Sequence, residues 1–509
     1  MNTPANLSPA IGPAPSGDSV NPRAVTAVVC LALAAVVAAM SSLNVALPDI
    51  ARSTHASGTQ LTWIIDSYSL FFAALLLPAG ALGDRFGRRR MLLIGLGIFG
   101  LGSAVAMTAQ NAHQLIALRG VIGVGAALVM PATLSTITGT FDAAERAKGV
   151  SIWAGVAGAS AIVGVLASGT LLEFWSWRSV FALNVVLAVA AIIGTVRIVP
   201  ESADPSPGRL DVTGASIAVI GLFVTVYSII EAPAHGWTSA QTLGGVALGA
   251  LILGAFVRFE LRSKNPMLDP RIFRHRGLSV GSLSIFVQFF AFFGFIFVVL
   301  QYLQLVRGDS PLVSALSMLP MAVTLMPAAR LAPRLVGRVG TRTVCVSGLL
   351  LVAAGLFVLA QVDVTRSYWL ILAGLLPLGA GMGAAMTPAT TAITEALPAS
   401  QQGVGSAVND QTRELGGALG IAVDGSVLSS IYRNNFTVPA MSDVPQGAVA
   451  NLAAKAEESF AIAAHLGGPI AQAGANAFVD GLHVALLICS GAALTVAVLV
   501  RLLLPKSQS

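Results

Sequence analysis

The sequence predicts an all-α polytopic membrane protein with fourteen transmembrane helices, and three observations indicate this fold class. Hydrophobic residues make up 55% of the 509 residues and charged residues only 10%, whereas about a quarter of the residues of a soluble domain are charged. Fourteen stretches approach the length of about 20 apolar residues that a membrane-spanning helix needs. Lysine and arginine are concentrated in the connections on one side of these stretches, as is typical of cytoplasmic loops.

The fourteen predicted spans follow one another along most of the chain. Their starts lie near Ala24, Leu61, Met91, Leu115, Val150, Ser179, Val212, Gln241, Leu278, Leu312, Thr343, Ser367, Val404 and Gly481. The first apolar run is too long for a signal peptide. Residues 1–23 are rich in proline, serine and glycine, a composition that predicts a disordered cytoplasmic tail.

The distribution of basic residues predicts that both termini are cytoplasmic. With that orientation, the cytoplasmic side carries Arg85, Arg88, Arg89, Arg90, Arg146, Lys148, Arg258, Arg262, Lys264, Arg271, Arg274, Arg276, Arg330, Arg334, Arg338 and Arg342. The opposite side carries only Arg52, Arg178, Arg307, Arg366, Arg433 and Lys455. The net charge of +6 is therefore explained by membrane topology, and no nucleic-acid partner is expected.

The connection between the second and third spans is the most informative segment. Its glycines permit a tight turn, and its basic residues hold the turn in the cytoplasm. In order, it contains Gly80, Gly83, Asp84, Arg85, Gly87, Arg88, Arg89 and Arg90. This order closely resembles the signature loop of the major facilitator superfamily, which joins the same two helices. The resemblance implies that the loop acts as a conformational latch and not as a binding site.

An internal repeat accompanies the signature loop. Residues 330–342 resemble a degenerate copy of the signature loop, without an acid that corresponds to Asp84. The repeat predicts two six-helix halves, 24–199 and 278–504, with the substrate site near the bilayer midplane between them. The spans within 212–260 are then an inserted helix pair, and residues 432–480 form a loop on the outside. Together these assignments predict a major facilitator fold.

Four local motifs narrow the resemblance. They are Asn44 to Pro48, Trp63 to Leu70, Arg119 to Gly125, and the pattern of Trp177, Arg178, Phe181 and Asn184. With fourteen spans, they resemble the fourteen-helix drug:proton antiporters, especially the quaternary-ammonium multidrug exporters of bacteria. The resemblance extends from Ala24 to Leu504 and implies a multi-pass protein of the bacterial cytoplasmic membrane.

The sequence offers no motif for enzymatic or cofactor chemistry. Cys30, Cys345 and Cys489 fall inside predicted spans, without disulfide or metal-ligand spacing. No phosphate-binding loop of the Gly-x-x-x-x-Gly-Lys-Ser/Thr type occurs, so the energy for uphill transport is expected from an ion gradient. We expect a transporter with no cofactor and no metal, and a monomer is compatible with the sequence.

Asp66 is the first candidate site residue, because a charged side chain inside a span is costly and is therefore a functional candidate. It lies about 8 Å into the second span, counted at ~1.5 Å per residue. Burial favours the neutral form of a carboxyl group, so this group could exchange a proton for a cation. Related exporters of lipophilic cations carry an acid at the matching position. The alternative is an acid that reaches the outer surface or pairs structurally.

Arg119 lies at a comparable depth in the fourth span. A fixed positive charge nearby would favour the ionised form of Asp66 and oppose the effect of burial. The matching arginine of the family is implicated in proton coupling. The alternative is a purely structural ion pair.

The thirteenth span carries the densest group of charges. Asp410, Arg413 and Glu414 fall within a sector of roughly 100° on one helix face, and Gly417 shares that face. Glu414 lies about 15 Å into the span, near the midplane of a ~30 Å core. Related cation exporters have acids aligned with Asp410 and Glu414. An internal salt bridge of Arg413 with either acid is the competing interpretation, although two acids against one base leave a net negative charge.

The remaining polar and aromatic candidates receive weaker interpretations. Trp63, Tyr68 and Phe72 near Asp66 are predicted to line a substrate pocket. Asp424 is expected near the outer interface, where water solvates it. The phenylalanines of the ninth span surround the helix, so most of them are expected to face lipid or neighbouring helices.

Two departures from the family pattern affect the function. Ala39 stands where the cation exporters have an acid in the first span, which puts a second bound charge, and hence divalent substrates, in doubt. In the fifth span, Gly164-Val165 replaces the Gly-Pro pair of the antiporter signature, which weakens the argument for antiport. Small residues along that span still permit close helix packing.

The sequence thus predicts a proton-coupled exporter of lipophilic, monovalent cationic drugs. A first alternative is an exporter of a neutral or anionic secondary metabolite, which the missing acid and the buried Arg119 and Arg413 would favour. A second is a transport-dead membrane sensor, which would keep its activity after neutralisation of Asp66, Asp410 and Glu414. Substrate identity and proton stoichiometry are not determined by the sequence.

Overall fold

In a computed structural model, the protein is described over residues 21–203, 210–264, 266–364, 367–397, 402–437 and 456–504. Fourteen helices in these ranges are long and apolar enough to cross a membrane. They are α1 (Pro22–Thr54), α2 (Gly58–Phe86), α3 (Arg88–Ala106), α4 (Ala112–Thr140), α5 (Ala143–Phe174), α6 (Arg178–Ile198), α7 (Val212–Ile230), α8 (Ala240–Glu260), α9 (Arg276–Gln301, extended by a π turn at Tyr302–Val306), α10 (Pro311–Leu316 and Leu319–Val339), α11 (Thr341–Leu359), α12 (Tyr368–Glu395), α13 (Gln402–Asn435) and α14 (Gly468–Leu503). The predicted all-α class with fourteen membrane helices is confirmed.

Local sequence signals fix where the helices begin. The Asn21 side chain accepts the N–H groups of Arg23 and Ala24 at the start of α1. Ser57 and Gln60 form a reciprocal capping box at the start of α2, which satisfies backbone donors that no helical partner reaches. We call the end of the bundle that carries Gly87 the inner end, in line with the predicted orientation, and the opposite end the outer end.

The helices pack in a pattern that occurs twice. In the first six helices, α1 contacts α5 and α6, α2 contacts α4, and α3 contacts α4 and α6. In the last six, α9 contacts α13 and α14, α10 contacts α12, and α11 contacts α12 and α14. The second pattern is the first shifted by eight helices, as expected for two similar halves separated by an inserted pair. The residue boundaries drawn between the halves stay a prediction.

The halves meet along two seams. One seam is formed by α2 and α13, and α7 of the inserted pair packs against both of these helices. Trp63 of α2 donates its indole N–H to Glu231 at 2.8 Å, and Trp237 donates its indole N–H to Ser430 at 3.1 Å. The inserted pair therefore lies over the α2–α13 seam.

The other seam is formed by α5 and the outer segment of α10. Gly169 of α5 lies so close to Pro311 and Ala315 that a methyl group at Gly169 would contact both. Further inwards on α5, no atom lies within 4 Å of where a side chain of Gly155 or Gly158 would begin. This seam is closed at the outer end and open toward the inner end.

The signature loop and its degenerate copy at residues 330–342 have the same backbone turn. Gly87 separates α2 from α3 with φ of +106°, and Gly340 separates α10 from α11 with φ of +82°. Residues other than glycine rarely adopt this left-handed region. The structural repeat therefore coincides with the sequence repeat at both junctions.

Three predicted boundaries require correction. The predicted outer loop 432–480 is too long, because α13 runs to Asn435 and α14 already begins at Gly468; a short helix, Phe460–Leu466, precedes α14. Residues 438–455 of that loop lie outside the described residues. Of the predicted tail, residues 1–20 also lie outside them, whereas Pro22 and Arg23 already belong to α1.

Candidate functional site

Asp66 lies in the middle of the α2–α13 seam. Toward the outer end from Asp66, Thr62 is packed against Gly425. Toward the inner end, the backbone carbonyl of Ala73 accepts a hydrogen bond from the side-chain amide of Gln411 at 2.6 Å. Asp66 is 0% exposed, and among the described residues neither of its carboxylate oxygens has a hydrogen-bond partner. The predicted alternative, an acid that reaches the outer surface, is wrong.

Arg119 does not form an ion pair with Asp66. Its guanidinium donates to the backbone carbonyls of Ile64, Ile65 and Ala39 at 3.0, 3.5 and 3.5 Å. The residue is 1% exposed, and backbone carbonyls supply the acceptors that a buried guanidinium needs. Arg119 thus ties α4 to α1 and α2 and leaves the Asp66 carboxyl without a neutralising partner.

Tyr68 connects this arrangement to the other half. The Arg119 guanidinium lies 4.3 Å from the centre of the Tyr68 ring, a cation–π geometry, and the phenol donates to the Val36 carbonyl at 2.8 Å. Tyr68 is also within electrostatic reach of Glu414 on α13. Of the three predicted pocket aromatics, Tyr68 and Phe72 pack together, with ring centres 5.8 Å apart.

Trp63 lies elsewhere. Its indole packs against Phe223 and Tyr227 of α7, with ring centres 6.3 and 5.9 Å away. Its hydrogen bond to Glu231 points to the same helix. Trp63 therefore attaches the inserted pair to α2, and its predicted role in a substrate pocket stays a prediction.

The charged face of α13 contains one partial ion pair. Arg413 Nη1 lies 3.7 Å from Asp410 Oδ1, so the predicted internal salt bridge forms with Asp410. The Arg413 guanidinium also lies 4.6 Å from the centre of the Phe289 ring on α9. Glu414 Oε2 is buried without a partner among the described residues. This face therefore keeps one buried carboxylate oxygen without a direct partner, although Glu414 is also within electrostatic reach of Arg413.

Two residues that contribute to this face were missed by sequence reasoning. Phe289 belongs to the phenylalanine-rich α9, and nothing in the composition of that helix distinguishes the ring that stacks on Arg413. Gln411 lies inside the charged run itself, and its side-chain oxygen is buried without a partner. Its position beside two acids was the only available signal.

The prediction for Asp424 is wrong. Asp424 is 0% exposed, so it is not solvated as expected. Its Oδ2 accepts the thiol of Cys489 on α14 at 3.1 Å, and its carboxyl group fills the space beside Gly294 of α9. Because all of these contacts lie within the second half, Asp424 is separate from the seam that contains Asp66.

The hydrogen bonds and ion pairs of the signature loop in the described structure lie within the first half and the segment just after it. Arg88 pairs with Asp84 at 2.9 Å, and its guanidinium lies against Gly139 of α4. The backbone N–H of Arg89 donates to Glu201 beyond the end of α6 at 3.1 Å. Arg85 is exposed, and no atom lies within 4 Å of where a Gly83 side chain would begin. Gly80 packs against Pro131 of α4.

The chain matches the family model described as Major Facilitator Superfamily over residues 29–421. It is 35% identical to the multidrug efflux pump LfrA of Mycolicibacterium smegmatis, with 94% of each chain covered. It is 34% identical to the multidrug resistance protein Stp of Mycobacterium tuberculosis, over 88% of this chain and 86% of that protein. The methyl viologen resistance protein SmvA of Salmonella typhimurium is also 34% identical, over 92% and 95%.

Solved structures agree with the fold. A bacterial homolog of the human lysosomal transporter Spinster, inward-facing and unoccupied, superimposes with a TM-score of 0.67 at 16% identity, over 96% of this chain and 97% of that one. The xylose transporter XylE from E. coli in its inward open conformation gives a TM-score of 0.59 at 17% identity, over 96% and 98%. The predicted major facilitator fold is confirmed. The chain therefore belongs to the Major Facilitator Superfamily, within the group of membrane transporters that includes these efflux and resistance proteins.

Proposed function

We propose that the protein is a proton-coupled exporter of lipophilic monovalent cations, with Asp66 as the principal exchange site. The observation that carries this proposal is the Asp66 carboxyl group, which is buried at a seam between the halves with neither oxygen paired. A bare carboxylate in such a place is unfavourable. The group is stable when it holds a proton or when a cation neutralises it, and that choice is the basis of exchange.

The α13 acids extend the site. Glu414 has a buried oxygen without a partner, and it lies within electrostatic reach of Tyr68, whose ring stacks on Arg119 in the first half. The open inner part of the α5–α10 seam is consistent with loading from the inner side. In the proposed cycle, a cation binds there at the ionised acids, the halves rock about the seams, and protons from the outside displace the cation.

The membrane potential would assist this exchange. If two protons enter for each monovalent cation exported, one net positive charge moves inwards, which is worth about 2.3 kcal/mol per 100 mV. The relatives are consistent with cationic and multidrug cargo, because their names include a methyl viologen resistance protein and a multidrug efflux pump. Methyl viologen is a dication, so the restriction to monovalent cations rests on Ala39 and not on this relative.

The second candidate is an exporter of a neutral or anionic metabolite. It is favoured by Ala39 at the position of the missing acid and by relatives such as the tetracenomycin C resistance and export protein of Streptomyces glaucescens, 32% identical over 79% of this chain and 75% of that protein. The two arginines argue against an anion site. Arg119 is occupied by backbone carbonyls, and Arg413 is occupied by Asp410 and Phe289.

The proposal is tested with purified protein in liposomes under an imposed pH gradient, using ethidium as the fluorescent cation. We expect uphill ethidium movement that a protonophore abolishes and that Asp66→Asn lacks. Glu173→Gln, which changes an exposed acid at the outer end of α5, is the matched control and should behave like wild type. Correctly oriented wild-type protein that moves no cation but accumulates a neutral or anionic compound would establish the second candidate instead.

A further inference from the structure

The inserted helix pair contains two carboxyl groups that face each other at its inner end. Asp211 precedes α7, and its Oδ1 accepts the backbone N–H of Gly214 at 2.7 Å. Glu260 is the last residue of α8 and is 1% exposed. Its Oε2 accepts the backbone N–H of Leu268 at 3.4 Å, in the segment that leads to α9. Asp211 thus caps the start of α7, and Glu260 joins the end of α8 to the segment that leads to the second half.

The other two carboxyl oxygens have no conventional partner. Asp211 Oδ2 and Glu260 Oε1 are buried, and neither has a hydrogen-bond partner among the described residues when both groups are treated as carboxylates. Both oxygens border the space where a side chain of Gly214 would begin, and the two carboxyl groups lie within hydrogen-bonding distance of each other. Glycine at position 214 is what permits this approach.

Among the described residues, the neighbouring basic groups do not compensate two negative charges at this place. Arg258, Arg262 and Lys264 are exposed. Arg271 donates to the Leu261 carbonyl at 2.9 Å and lies 3.9 Å from Asp269, and it forms no ion pair with Asp211 or Glu260. Among the described residues, the polar groups directed at the two carboxyls are backbone N–H groups of α7 and of the segment after α8.

We propose that Asp211 and Glu260 hold one proton between them and that this proton fastens the inner end of the inserted pair. Two adjacent carboxylates repel each other, whereas a carboxyl O–H donates a strong hydrogen bond to a carboxylate oxygen. The shared proton lets Asp211 Oδ2 and Glu260 Oε1 form a hydrogen bond with each other. The fastening is complete when the proton is bound, and it weakens as rising pH on the inner side removes the proton.

Amide variants test this proposal independently of transport. In Asp211→Asn and in Glu260→Gln, the amide N–H replaces the shared proton permanently while the remaining oxygen keeps its backbone contact. We expect the thermal unfolding midpoint of the wild type in nanodiscs to fall by a few degrees between mildly acidic and alkaline pH, and we expect this fall to be reduced in both amide variants. Glu260→Ala should lower the midpoint at every pH.

The control and the contradicting result are well defined. Glu231→Gln changes an acid of the same inserted pair that is bonded to a tryptophan, and it should retain the pH slope of the wild type. Infrared spectra provide a second readout, because a protonated-carboxyl C=O band should disappear in Glu260→Gln and persist in Glu231→Gln. An Asp211→Asn variant with the pH slope of the wild type, or Glu260→Gln spectra with an unchanged band, would overturn the proposal whether or not the protein transports cations.

Discussion

The acids of α2 and α13 are compensated very differently, although both groups lie in the helices that form one seam. Asp66 on α2 has no partner for either oxygen, because the nearby Arg119 donates to backbone carbonyls. On the charged face of α13, Arg413 lies 3.7 Å from Asp410, and Glu414 keeps a buried oxygen without a partner among the described residues. An arginine at the same depth in the membrane as an acid therefore does not necessarily neutralise that acid.

The difference teaches how one seam can combine an exchange site with a fixed charge. An uncompensated buried acid prefers a proton or a cation, so its occupancy changes during a transport cycle. An acid beside an arginine retains its charge more easily and provides a constant field. On this basis, Asp66 and Glu414 are proposed to exchange protons, and Asp410 is proposed to tune the site.

The largest effect is expected from Asp66→Asn. The amide keeps the shape of the side chain and removes its ability to exchange a proton for a cation. We expect pH-driven ethidium transport to fall by about tenfold or more, equivalent to ~1.4 kcal/mol or more in the transport barrier. Asp66→Glu retains a carboxyl group and should recover part of the rate; equal loss in both variants would indicate a packing role.

Glu414→Gln should have the second largest effect. The unpartnered Oε2 is replaced within a side chain of the same length, and the α13 face loses its uncompensated acid. We expect the apparent affinity for ethidium to weaken and the residual transport to remain coupled to protons through Asp66. The measurement is the concentration dependence of transport in proteoliposomes, and unchanged affinity and rate would remove Glu414 from the site.

Asp410→Asn should have a smaller effect, because Arg413 already offsets this charge. The ion pair is mostly buried, with side-chain exposures of 14% for Asp410 and 23% for Arg413, and at 3.7 Å it is a long contact. A double-mutant cycle of Asp410→Asn and Arg413→Gln measures the coupling. An Asp410→Asn defect as severe as that of Asp66→Asn would invalidate the proposed division between exchanging and fixed acids.

Asp424→Asn should have the smallest effect on transport. Asp424 is enclosed by α9, α13 and α14, which belong to one half, so rocking of the halves does not uncover it. We expect transport within about twofold of wild type, less than 0.5 kcal/mol. Cys489→Ala removes the thiol partner and serves as the paired variant. A tenfold loss in Asp424→Asn with unchanged expression would add this acid to the coupling machinery.

The fold was largely predictable because each membrane helix must satisfy its own backbone hydrogen bonds within an apolar run. The starts of α7 and α10 were predicted at Val212 and Leu312, and the helices begin at Val212 and Pro311. The start of α14 was missed because residues 468–480 include glycines, alanines and Asp480, so the extension is weakly apolar and is stabilised by packing against the short helix before it.

The candidate site was predictable only as a set of buried charges. Residue depth along a helix follows from counting, so Asp66 and Arg119 were placed at comparable depth and Glu414 near the midplane of the membrane. Asp424 was placed incorrectly because counting indicates depth but not the neighbours on each face. Cys489 and Gly294 are 65 and 130 positions away in the chain, and no local pattern connects them to Asp424.

The sequence by itself determined the class of protein, the number of membrane helices, the signature loop and its copy, and which ionisable groups fall inside membrane helices. These depend on composition, periodicity and local turn geometry, which each segment carries alone. Only the tertiary structure decided that Arg119 binds backbone carbonyls, that Arg413 lies beside Asp410 and Phe289, and that the inserted pair covers the α2–α13 seam. These are contacts between distant segments, and their energies depend on the distance and direction between groups that meet only after the helices pack.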